Sequence, residues 1–294
     1  GDLLAAAGAS YRVGREARPD HNESLAGRTS GNTYHQFATA VDPFDASGAP
    51  LPLITTVARG PPAPPLGAAD ALVQAYNFRL CVTRNASIPF RKPAGYDPKR
   101  WDLLRASVGS GKPSRPTCNT APVPSGNFDM NNCGAVSSDL VGGSSGYPEA
   151  TPAARRKIWA EHKAYVEGLL WTLAHDDAIP NLDPSWGLCS DAFTQTGGWP
   201  PALYVRAARR LLGDETFTQN TPDEQRAAGG DIGEKSVGVG CYNFDSHTAQ
   251  RIACVGTDAC YGAGPPNVSA DTKYAWMEGD VEVNPGRYQI PFSL

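Results

Sequence analysis

The clearest periodicity lies in the middle of the chain. From Pro152 to about His175, Ile158, Tyr165, Leu169 and Leu173 recur at helical spacing, and Thr151 ahead of Pro152 marks an N-cap. This predicts a long helix. A shorter helix is expected from Lys99 to about Val108, opened by Tyr96-Asp97-Pro98, with Trp101, Leu104 and Arg105 on repeating positions. Between Gln74 and Thr83 the period changes to two: Tyr76, Phe78, Leu80 and Val82 alternate with Asn77, Arg79 and Cys81, the pattern of a half-buried strand. Further strands are expected at Ser10 to Val13, Val237 to Phe244 and Val281 to Val283, with an extended segment at Tyr288 to Phe292, and a small-residue helix opens the chain and stops at Gly8. After the loop Gly197-Gly198-Trp199, Pro200-Pro201 predicts one more helix, with Leu203, Tyr204, Ala207, Ala208 and Leu211 on one side and Arg206, Arg209 and Arg210 around the rest. Such a helix start could hold an anion on its free N–H groups, or the segment could be a plain loop-to-helix entry with a solvated basic face.

Between these elements the chain is turn-rich. It has 294 residues with 31 Gly, 26 Pro and only 19% charged residues, enough length for a proper core wrapped in long connections. Residues 109–133 show no regular pattern and read as a lid or insertion, 60–67 (GPPAPPLG) as a low-complexity turn, and 219–236 as polar and exposed. These features give an α/β chain of mixed sheets, several helices and long loops. A net charge of −4 supplies no field for holding nucleic acid, and no apolar run reaches the roughly 18 residues of a membrane span. Seven cysteines occur without a CxxC pair, which is poor spacing for zinc or a 4Fe-4S cluster. In an oxidising compartment, Cys118 with Cys133 and Cys254 with Cys260 are the pairs to test, each closing a short loop. Sequons at Asn22, Asn85 and Asn267 tilt localisation toward a secretory route.

Candidate chemistry is sparse. Arg79 lies on the strand face opposite the aromatics, where it is either a ligand for an anionic substrate or a solvent-facing arginine. Asp2 either caps the first helix or faces a ligand hydroxyl, capping being the simpler reading. The strand ending at Phe244 delivers Asp245, Ser246 and His247. Neighbours in sequence do not form a nucleophilic triad, and there is no G-x-S-x-G elbow. Asp245 beside His247 could instead orient an imidazole as acid or base, or the trio could cap a turn. His162 and His175 do not share a turn of their helix, and both read as structural or solvated.

Several blocks in series, GDLLAAAGASYRVGREAR (1–18), QAYNFRLCVT (74–83), IPFRKPAGYDP (88–98), the helix near 153–173, GLCSDAFTQTGGWPPALYVRAARRL (187–211), VGVGCYNFDSHTAQRI (237–252), and EGDVEV with YQIPFSL (278–294), resemble the FAD-dependent oxidoreductase family related to the heterodisulfide reductase flavoprotein subunit, which includes xanthan lyase-like members. The resemblance implies the cap and substrate region of a Rossmann-type flavoprotein, here without the family's G-x-G-x-x-G loop, as an internal portion of a longer protein. It implies that 1–18 is the edge of the FAD-binding domain, with Gly1 and Asp2 near the flavin, that 19–277 is the substrate region, and that 278–294 returns toward the FAD domain. Arg79, Arg206, Tyr242, Asn243, Asp245 and His247 match polar positions facing the substrate side. Hydride transfer from a small or carbohydrate-like molecule then assigns His247 as base, Asp245 as its orienter, and Arg206 or Arg79 as the anion contact. The rival expectation is a secreted carbohydrate-binding or structural domain without redox chemistry.

Overall fold

The computed structural model describes residues 1–30, 35–60, 65–85, 87–109, 120–132, 134–179, 185–230, 236–256, 260, 269, 271–279 and 281–291. The helices are α1 (Asp2–Ala6), α2 (Arg18–His21), α3 (Asp102–Gly109), α4 (Pro152–His175) and α5 (Thr221–Ala227). The strands are β1 (Tyr11–Arg12), β2 (Thr56–Ala58), β3 (Leu80–Thr83), β4 (Ile88–Pro89), β5 (Thr120–Pro122), β6 (Phe128–Met130), β7 (Gly187–Leu188), β8 (Arg210–Leu211), β9 (Ser236–Gly240), β10 (Phe244–Ser246), β11 (Gln250–Val255), β12 (Lys273–Glu278), β13 (Val281–Val283) and β14 (Tyr288–Pro291). An antiparallel sheet in the order β4-β7-β3-β6-β5 is the largest. A three-stranded sheet runs β12-β11-β2, with β2 parallel to β11, and three two-stranded ribbons pair β1 with β8, β10 with β13, and β14 with β9. The result is the mixed α/β fold that the pattern predicts.

The periodic segments make the core because each has one continuous apolar face to bury. Tyr76, Phe78, Leu80 and Val82 are all fully buried and meet Tyr165, Leu169 and Leu173 of α4 and Trp101 and Leu104 at α3 in one cluster. Each such side chain contributes roughly 1.5–3 kcal/mol by leaving water. Thr151 caps α4 by accepting the Ala154 N–H, as its position before Pro152 predicts.

Elsewhere tertiary contacts override local pattern. Only Leu80–Thr83 of the expected 74–83 strand joins a ladder. Upstream of it, Asn77 bridges the backbone of Tyr204 and is buried because its amide meets Asn131 and Ser138. That bridge also explains why no helix follows Pro200-Pro201. The Tyr204 N–H is bonded to the Asn77 carbonyl, Arg210–Leu211 pairs with β1, and the arginines of the segment turn to separate partners instead of lining a helix. With no helix start there, neither of its two readings, an anion site or a plain loop-to-helix entry, applies. Within 109–133, β5 and β6 form a hairpin on the large sheet, and α5 lies inside the stretch expected to be merely polar and exposed. Asp2 does not cap α1, whose N-cap is Gly1 with no side-chain bond. The disulfides are Cys81–Cys189 and Cys254–Cys260, and Cys241 is free and exposed. The first pair joins distant segments of one sheet, which spacing does not reveal, whereas Cys254–Cys260 is as expected. Cys118, Cys133 and the sequon at Asn267 lie outside the described residues. No helix among the described residues is long and apolar enough to cross a membrane.

Candidate functional site

His247 follows β10 directly, so the ribbon with β13 fixes the backbone that carries it. Its N–H is held by the Gln74 side-chain oxygen at 2.8 Å. Its ring Nδ1 lies 3.1 Å from Asp139 Oδ2, while Arg206 Nη1 approaches the other oxygen of the same carboxylate at 3.1 Å. The arginine approach is Coulombic rather than a directed hydrogen bond, since Asp139 Oδ1 has no well-aligned donor. Arg206 instead donates to the Ala75 carbonyl at 2.6 Å and to Asn132 Oδ1 at 3.3 Å. Asn132 Nδ2 stands between two imidazoles, 2.8 Å from His35 Nε2 and 3.0 Å from His247 Nδ1, and the two rings are 5.2 Å apart.

Asp139 is the electrostatic centre of this cluster. Burial alone would raise its carboxyl, but Arg206 and then His247 outweigh that and hold it below the ordinary carboxylate value. Nδ1 of His247 faces both the Asp139 carboxylate and the Asn132 amide nitrogen; with the proton on Nδ1, drawn there by ionised Asp139, Nε2 is the acceptor and the Asn132 amide is left to His35. Asp245, expected as the orienter, lies 3.5 Å from Nε2 with its side chain 35% exposed, so it stands on the outer side of the ring.

One cavity is lined by this imidazole, and a second is lined by its chain neighbours Asp245 and Ser246. The first, the inner of the two at about 270 Å³, is walled by His247, Gln74, Thr29, Arg15 and Arg210. The other, the outer of the two at about 260 Å³, is walled by Phe217, Gln219, Phe244 and Asp245, and both it and the inner one are lined by Glu23, Ser246 and Val281. A third cavity, of about 470 Å³, includes Gly197 and Trp199 but neither Arg206 nor His247, so the glycine loop and the arginine belong to different places.

The remaining expected residues are dispersed. Arg79 is paired with Asp129 and stacked over Tyr204, whose ring also lies under Arg206. Tyr242 is 73% exposed. Asp2 binds Arg155 and Arg209 at 2.7 Å each, and these, Arg155 foremost, lower its carboxyl to about 2. Sequence reading missed His35, Asn132 and Asp139. None of them stands at a spacing that signals a site, and their side chains meet only through the fold.

The FAD dependent oxidoreductase family matches the chain over residues 1–294, and the chain belongs to that family. No curated protein and no solved structure matches it. Among the described residues no strand leads through a G-x-G-x-x-G turn into a helix, so they do not form a Rossmann cradle for the FAD pyrophosphate. No step through the flavin is derived from these residues. Among them, too, no group of three His, Cys, Asp or Glu is placed to hold a metal ion.

Proposed function

We propose that this chain supplies the substrate side of an FAD-dependent oxidoreductase acting on a small, carbohydrate-like molecule, with His247 as the proton acceptor. The observation that carries the reading is the imidazole held by buried Asp139 on the wall of one cavity, with Asp245 beside it on the wall of the next and Arg206 neutralising the Asp139 carboxylate from behind. The chain's own contribution is to hold the substrate and take the hydroxyl or amine proton at His247 Nε2, the redox half belonging to the family's flavin. Asp139 takes the orienting role and Asp245 meets the substrate. Arg206 acts on Asp139 instead of on a bound anion. Gly1 and Asp2 remain assigned to the flavin edge, and the two disulfides add to the sequons in support of an oxidising compartment.

The test is anaerobic bleaching of the flavin absorbance by small polyols and amines. His247→Gln should slow reduction by about 10²–10⁴-fold, the usual worth of a positioned acid or base. Reduction at the parent rate would remove His247 from the chemistry.

A further inference from the structure

The cavities beside His247 carry a charge pattern that selects among substrates. Resting on the assignment of this cleft as the substrate side, we propose that it selects an aminated polyol, a small polyhydroxyl molecule bearing an ammonium group. The arginines on and behind the cleft are already answered by carboxylates: Arg15 by Asp70 and Glu278, Arg210 by Glu16, and Arg206 by Asp139. A bound anion would find no uncommitted guanidinium among these.

The carboxylates lining the outer cavity are not answered in the same way. Glu23 accepts the Gln219 backbone N–H at 2.7 Å and has no cation in ion-pair range among the described residues. Among the described residues Asp245 has only the His247 ring in ion-pair range, and across the β10–β13 ribbon it stands opposite Glu282, a like-charge pairing in which Glu282 accepts the Asn243 amide at 2.9 Å while Asp245 has no neutral donor of its own. Phe217 and Phe244, edge to face with centroids 5.7 Å apart, supply the aromatic wall that both ammonium groups and sugar C–H faces prefer. The inner cavity adds an independent sign of a hydroxylated ligand. Thr29, on its wall and only 7% exposed, has a buried hydroxyl with no hydrogen-bond partner. A six-carbon aminated polyol satisfies the whole set, with its ammonium between Glu23 and Asp245 and its hydroxyls toward Ser246, Thr29 and His247.

Calorimetric titration of the intact chain at pH 7 with glucamine, sorbitol and gluconate tests this directly. The three are matched six-carbon chains with an ammonium, a hydroxyl or a carboxylate at one end, and the amine is fully charged at that pH. Glucamine should bind about tenfold tighter than sorbitol, and gluconate weakest. Glu23→Gln and Asp245→Asn should each draw the glucamine-to-sorbitol ratio toward one. Equal affinities, no binding of glucamine, tightest binding of gluconate, or a preference that survives both substitutions together would overturn the proposal. Loss of the ammonium preference while His247→Gln still slows flavin reduction overturns this selectivity alone. An ammonium preference without any His247 effect upholds it and removes only the assignment of the base.

Discussion

Asp139 is the residue on which the cluster depends, because its carboxylate is the counter-charge for a guanidinium whose side chain is only 6% exposed. Replacing it with alanine leaves Arg206 buried without its counter-charge, and removing one member of a buried pair costs about 3–5 kcal/mol. Urea unfolding of Asp139→Ala should show a loss of that size. A change under about 1 kcal/mol would mean that the Ala75 carbonyl and Asn132 satisfy the arginine unaided. A second residue sets a pH dependence. His162 is fully buried on α4, bonded to Ser144 and to the Ile158 carbonyl, and burial holds its imidazole below the ordinary value of 6.5. Below pH 6.5 the unfolded chain therefore takes up this proton more readily than the folded one, and stability falls as the pH drops from neutral into that range. His162→Gln should flatten the difference in urea midpoint between pH 7.5 and 5.5. An undiminished slope would place the titration elsewhere.

At the scale of elements, legibility followed how local the cause of each element is. The helices α3 and α4 could be read because the apolar periodicity that signals them is the same face that buries Trp101 and Tyr165. Residues 200–211 could not, because Tyr204 bonds to Asn77 and the arginines find carboxylates far away in sequence, interactions that local propensity does not register. The Cys81–Cys189 bridge was equally hidden by its separation of 108 residues. That separation also makes it important, since closing a long loop restricts the unfolded chain strongly. It ties β3 to the residue just past β7, so the double change Cys81→Ala with Cys189→Ala should cost about 2–5 kcal/mol in thermal or denaturant unfolding. An unaltered midpoint would show that the sheet holds this register without it.

For the molecule as a whole, the sequence disclosed the α/β class and singled out His247 and Arg206, but not the carboxylate that lies between them. Asp139 lies in a mixed polar and apolar stretch with neither period, and its place in the cluster arises only when three remote segments meet. That meeting orders events in time as well as in space. Chain synthesis delivers His35 first, then Asp139, then Arg206, and His247 only after all three, so the carboxylate and guanidinium can neutralise one another before the ring of His247 exists to be oriented. The cluster is therefore complete only once the segment carrying His247 docks, and the His247 ring resonance in an NMR spectrum would report that step.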